Sequence, residues 1–156
     1  MIAWRRARRK SCCASTPGIP VERERGIPHK VQDGAGHAAL LLEDRGVLVA
    51  GDMLSDVLIP LLDFNDTADP IEDYLAALQL LEGAADDVDV FVPGHGAIGS
   101  ADQVRARIDL DRAYVHALRD ADALSDPRIG PAATFGKDWL PGVHERQLRH
   151  LGRRHM

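Results

Sequence analysis

Aromatic residues make up only 4% of the 156 residues, and cysteine occurs twice, at the adjacent positions Cys12 and Cys13. Neighbouring cysteines rarely close a useful disulfide, and neither has a CxxC partner, so no disulfide scaffold and no cysteine-rich metal knot is expected. Reduced, incidental thiols fit a cytoplasmic location. No stretch approaches the ~18 consecutive apolar residues of a membrane-spanning helix. The basic start invites comparison with a signal peptide, but Ser11 to Pro20 is not a continuous apolar segment, so none is expected. Internal repeats are also lacking.

The charge pattern is uneven. The formal net charge is −5, which argues against a nucleic-acid binder reading with its whole surface. Arg5, Arg6, Arg8, Arg9 and Lys10 crowd the start without an acid, acids dominate from Asp44 to Asp111, and the end from Arg146 to Arg154 is basic again. Pro17, Pro20 and Pro28 interrupt residues 1–30, and no aromatic or amphipathic pattern there supports a binding arm. This segment is expected to be a poorly ordered tail. With 45% apolar residues and this length, one domain with a core is expected. The organised part spans 31–122, and 123–156 follow as a loop and a short helix.

Ala38 to Leu42 and Val47 to Ala50 are short apolar runs around Glu43-Asp44-Arg45-Gly46, which predicts an antiparallel hairpin. Both runs are apolar at every position, so the hairpin is expected to be covered on each side. Met53 to Phe64 is an apolar connection broken by Pro60, either packing or a pocket wall. Asp69-Pro70-Ile71-Glu72 has the form of a capping box opening a helix. Ile71, Tyr74, Leu75, Leu78 and Leu81 make its apolar stripe, and Gly83 is a suitable terminator. Val88 to Val92 is the next strand, and Asp89 within it points to an edge or a solvated end. Ser100 to Gln103 is a second capping box, starting a helix to about Asp120 whose face is Val104, Ile108, Asp111, Val115 and Leu118. His116 lies beside that face and is expected at the surface or in packing rather than as a ligand. A basic helix from about Val143 to Arg153 ends the chain, with Trp139 and Leu140 as anchors. His144 is expected to anchor the tail rather than line a pocket. Helix and strand alternate within one unit, which places the chain in the α/β class, as an α+β layered arrangement.

Two residues stand where strand ends expose chemistry. Asp52 follows Gly51 at the end of the second hairpin strand, and His95 lies between Gly94 and Gly96 after the next strand. Glycine permits a tight turn and close backbone approach, leaving room for a cation. Histidine and aspartate held at rigid strand ends are the donors that zinc needs. Either residue alone would be an ordinary turn residue; the pair, in this order around a helix and a strand, is a stronger signal.

Gly36-His37-Ala38-Ala39-Leu40, Val49-Ala50-Gly51-Asp52 and Val92-Pro93-Gly94-His95-Gly96 occur in the order of three motifs of the metallo-β-lactamase-fold hydrolases, the superfamily that includes hydroxyacylglutathione hydrolases. From about Val31 to Asp120 the chain resembles the C-terminal half of that fold, so a partial αββα sandwich, mainly its second half, is expected. The resemblance implies zinc, one or two ions in complete relatives, and hydrolysis of an ester, thioester or lactam. It makes Asp52 the bridging carboxylate and His95 the last histidine ligand. For the third ligand it leaves two alternatives. Spacing from Asp52 puts Asp33 at the ligand position and His37 at the family's second Ser/His position; otherwise a two-residue deletion has moved His37 into the ligand role.

The family's first metal-binding motif, HxHxDH, has no counterpart, and His29 is the only histidine before His37. The chain is therefore expected to be a truncated hydrolase, inactive or weakly active alone, with no assigned catalytic base. It would take a small-molecule substrate if active, and neither nucleic acid nor membrane. A half-sandwich leaves one sheet face without its partner, so self-association through an exposed apolar face is expected. The alternative is a non-catalytic remnant or interaction domain that binds a partner.

Overall fold

The computed structural model describes residues 3–6, 38–64, 68–120 and 125–154. Its elements are β1 (Ala3–Arg6), β2 (Ala38–Leu42), β3 (Val47–Gly51), α1 (Pro70–Ala84), β4 (Val90–Pro93), β5 (Gly99–Ser100), α2 (Ala101–Asp120) and α3 (Leu140–Arg154). The strands form one mixed sheet in the order β1-β2-β3-β4-β5. This is an α+β architecture, as the alternation of patterns implies.

The hairpin is present. Leu40 pairs with Val49, Leu41 with Leu48 and Leu42 with Val47, antiparallel. A 3-10 turn over Glu43–Arg45 joins the strands and closes on Gly46 in the left-handed region, φ +59°. A side chain there would be strained, and its Cβ would strike the Asp89 carboxylate. The Gly46 carbonyl accepts from the Asp89 and Val90 amides, at 2.7 and 3.1 Å, so this turn also seats the start of β4. Beyond it, β3 and β4 run parallel, Val47 opposite Val90 through Gly51 opposite Pro93, with a register shift between Val49 and Gly51. Parallel neighbours need a crossover, and the segment containing α1 provides it.

Both expected helix starts occur. The Asp69 carboxylate accepts from the Glu72 amide at 3.1 Å, and Pro70 takes the first helical position. At α2 the Gln103 side chain accepts from the Ser100 amide at 3.0 Å. Ile71, Tyr74, Leu78 and Leu81 of α1 pack against Val104, Ile108, Val115 and Leu118 of α2 in one core with Leu41, Leu48 and Phe91 of the sheet. Among the described residues the helices cover one sheet face only. The pleat sends Leu41, Leu48, Ala50 and Phe91 to that face and Leu40, Leu42, Val47, Val49, Val90 and Val92 to the other, where Val49 and Val90 each remain 38% exposed. Leu40, Leu42, Val47 and Val92 are half-buried, so the two faces of the hairpin differ in burial.

Other boundaries differ too. β1 lies within a stretch whose sequence shows no periodicity, pairing parallel to β2 from Ala3 opposite Ala38 to Arg6 opposite Leu41; backbone pairing at an edge needs no side-chain pattern. Gly83 does not end α1, which continues to Ala84 and passes into a 3-10 turn over Ala85–Asp87. β4 begins at Val90, because the Val88 amide is engaged by the Ala85 carbonyl of that turn at 3.4 Å. α3 starts at Leu140. Leu140 is fully buried and anchors the tail as expected, but Trp139 is 46% exposed, set edge-to-face on Phe135.

Candidate functional site

Asp52 and His95 leave the C-terminal ends of two adjacent parallel strands, where open α/β sheets place their ligand crevices. The backbones are drawn together at this point. Gly51 turns with φ +59°, and its carbonyl accepts from the Gly94 amide at 2.5 Å. A Cβ at Gly94 would lie 3.0 Å from the Asp52 carboxylate and 3.1 Å from the Gly51 carbonyl, so only glycine lets the two loops approach this closely. The outcome is an Asp52 Oδ1 to His95 Nε2 separation of 3.6 Å, with the side chains 57% and 53% exposed. That exceeds a hydrogen bond. Two donors bound to one tetrahedral zinc stand about 3.3 Å apart, so the pair has the spacing of donors sharing a cation and is open to solvent.

The structure thus brings together two of the four residues that the sequence nominates. Asp33 and His37 lie outside the described residues. Among the described residues no group of three or more His, Cys, Asp or Glu side chains could hold a metal ion. A shallow concavity lined by Glu43, Asp44, Asp86, Asp87 and Asp89 lies at the opposite, N-terminal ends of β3 and β4. Arg45 stands among these acids, and the lining contains no histidine or cysteine.

The loop that carries Asp52 onward is irregular yet buried, so its backbone polar groups need partners. They come from side chains. Leu54 takes the left-handed conformation, φ +59°, which costs a non-glycine residue roughly 1–2 kcal/mol. Its amide donates to Asp111 Oδ2 at 3.1 Å, and its carbonyl accepts from Arg107 Nη1 at 3.1 Å. The Ser55 hydroxyl accepts from the Val57 and Leu58 amides at 3.1 and 2.9 Å. Arg128 Nη1 donates to the Ser55 and Leu58 carbonyls at 3.2 and 3.1 Å. Gln147 of α3 accepts from the Leu62 amide at 2.8 Å and donates to the Pro60 carbonyl at 3.0 Å. Of the two roles open to the 53–64 connection, packing is the one these contacts describe.

Arg128 is the centre of a buried ionic cluster. It forks onto Asp126 through Nε at 3.0 Å and Nη2 at 2.7 Å, and reaches Asp111 Oδ1 through Nη1 at 2.5 Å. Burial disfavours its cation, but Asp126 and Asp111 more than compensate, and its pKa rises. Burial also pushes the Asp111 carboxyl up, against the opposing pull of Arg128 and of the Leu54 amide. The Tyr74 hydroxyl donates to Asp111 at 3.0 Å; burial, and then the Asp111 charge, hold it well above its ordinary value. Burial raises Tyr114 as well. It lowers His144, whose Nδ1 lies 3.1 Å from the Tyr114 hydroxyl, so this histidine joins α3 to α2. His116 pairs with Arg119 on the half-exposed side of α2.

Arg107, Asp126, Arg128 and Gln147 carry this loop and escape a sequence reading. Asp111 does give a signal, being an acid inside the apolar face of α2. Its cation comes from a loop 17 residues later, beyond the reach of helical periodicity.

Comparison with family models, with curated proteins and with solved structures finds no match to this chain. No helix among the described residues is long and apolar enough to cross a membrane.

Proposed function

We propose that this chain carries the second half of a metallo-β-lactamase-like hydrolase and that Asp52 and His95 are donors to a divalent cation, zinc being favoured by a mixed imidazole and carboxylate set. The 3.6 Å approach of the two side chains at the ends of adjacent parallel strands carries this reading. When bound, such an ion supplies Lewis-acid polarisation of an ester, thioester or lactam carbonyl and activates water near neutral pH. The chain's own part is to hold the two donors on glycine-tightened turns and to leave their outer side open to a small substrate. Two donors grip an ion weakly, and no general base stands assigned beside them, so the chain alone is inactive or weakly active.

Equilibrium dialysis against zinc, with hydrolysis of an activated aryl ester and a thioester followed in parallel, tests this. Zinc bound by the wild-type chain and lost in both Asp52→Asn and His95→Gln supports the assignment. Zinc binding that survives both substitutions sinks it.

A second reading rests on the open sheet face. Leu40, Leu42, Val47, Val49, Val90 and Val92 form an uncharged apolar surface, and an interaction domain would offer it to a protein partner with a matching apolar sheet face. Metal stoichiometry separates the two: two zinc ions per chain favour the hydrolase, none favours the interaction domain.

A further inference from the structure

Asp56, in the loop after β3, hydrogen-bonds the loop after β4. Its Oδ1 accepts from the Ala97 amide at 3.0 Å, two residues beyond His95. Its Oδ2 accepts from Arg107 Nη2 at 3.2 Å, and the nearly buried Arg107 also holds the Leu54 carbonyl at 3.1 Å. The guanidinium is fixed in turn, with its carbon 4.9 Å from the centre of the Phe91 ring on β4. Space for the carboxylate depends on Gly96, which has φ +96° and where a Cβ would strike Asp56 Oδ1. One carboxylate, held by a cation anchored in the core, therefore ties the Asp52 loop to the His95 loop.

We propose that Asp56, held by Arg107, is a positioning residue that sets the separation of Asp52 and His95 by clasping the Ala97 amide. The proposal rests on the metal reading only for its consequence. The clasp itself needs no ion and can be examined in the metal-free chain. Asp56 makes no hydrogen bond or ion pair to Asp52 or His95 and is not assigned as a ligand; it acts through the backbone of the two loops. A guanidinium fixed by a backbone carbonyl and an aromatic ring loses little freedom when it adds a carboxylate partner, which makes this a rigid clasp rather than a loose surface ion pair.

The experiment uses the full chain and three variants. Asp56→Ala removes the acceptor, Asp56→Asn keeps one side-chain oxygen, and Leu118→Ala weakens the core near the C-terminal end of α2, eleven residues beyond Arg107. Ala97 amide exchange is measured without metal by NMR, thermal stability by circular dichroism, and zinc affinity by competition with a chromophoric chelator. Asp56→Ala is expected to speed Ala97 exchange at least tenfold and to weaken zinc binding at least tenfold, and Asp56→Asn, whose amide nitrogen must face either Arg107 or the Ala97 amide, to fall between Asp56→Ala and wild type in both. Leu118→Ala is expected to lower the melting temperature while leaving zinc affinity within about twofold of wild type. Unchanged Ala97 exchange in Asp56→Ala overturns the clasp. So does an equal loss of zinc affinity in Leu118→Ala at matched stability, since that would be the mark of a general structural effect. If the wild-type chain binds no zinc, the hydrolase reading falls, and the exchange result alone then decides: a tenfold rise upholds the clasp and no rise overturns it.

Discussion

Arg128 has two carboxylate partners and shares one of them, Asp111, with Tyr74 and the Leu54 amide, all in the interior. Ion pairs at this depth gain little over a well-packed apolar replacement, yet removing one partner strands the others. Arg128→Met is expected to cost about 3–5 kcal/mol, measured as a shift in the urea midpoint, because two buried carboxylates lose their cation. Adding Asp111→Asn and Asp126→Asn to it is expected to recover part of that loss. Additive losses would mean that the three residues do not act as one unit. Tyr74 supplies a pH signature. Its folded pKa lies well above its unfolded value near 10, so its contribution is complete below about pH 10 and fades as pH rises through the folded value. Thermal melts between about pH 9 and 12 are expected to fall steeply in wild type. The slope should be shallower in Tyr74→Phe, with Tyr114 supplying the part that remains. An unchanged slope in Tyr74→Phe would remove this residue from the alkaline response.

At the scale of elements, local pattern was legible and long-range satisfaction was not. The caps at Asp69 and Gln103, the hairpin around Gly46 and the apolar faces of α1 and α2 follow from contacts three or four residues apart, or from a turn of fixed length, and the sequence displays them directly. The ends of α1 and β4 did not follow, because the 3-10 turn over Ala85–Asp87 takes the Val88 amide and no terminator residue announces that. Nor was the 53–64 connection legible in its contacts, since its partners Arg107, Arg128 and Gln147 lie far along the chain. Of the candidate site, the Asp52 and His95 turns could be read because each ends a strand, and their mutual distance then depends on β3 and β4 being neighbours. Gly94 is where that arrangement is most sensitive. Gly94→Ala places a methyl 3.0 Å from Asp52 Oδ1 and 3.1 Å from the Gly51 carbonyl, so the loops must part by a few tenths of an ångström. Zinc affinity is expected to fall roughly tenfold, equivalent to about 1.4 kcal/mol, with a small loss of melting temperature. Full affinity in Gly94→Ala would show that the close approach of the two backbones does not matter to the donors.

Among the described residues the molecule is a sheet with helices packed on one side, and the other face of that sheet bears on how it behaves in solution. Opposite the helices, Leu40 faces Val49, Leu42 faces Val47, and Val47 and Val49 face Val90 and Val92 across the parallel pair. These six side chains are contiguous and carry no charge to oppose contact with another apolar face. Val49 and Val90, 38% exposed, have the largest accessible fractions among them, and a charge placed there can reach water without disturbing the core beneath the helices. Val49→Lys with Val90→Lys is therefore expected to leave the melting temperature within a few degrees of wild type at low concentration. Any concentration-dependent association, followed by light scattering behind a sizing column, should weaken at least tenfold, and binding of an apolar dye should fall with it. An undisturbed association in the double variant would move the contact to another surface, such as the one around Phe135 and Trp139. A collapse in stability would mean instead that the face is already packed against part of this same chain, and the case for a partner seated on the sheet would go with it.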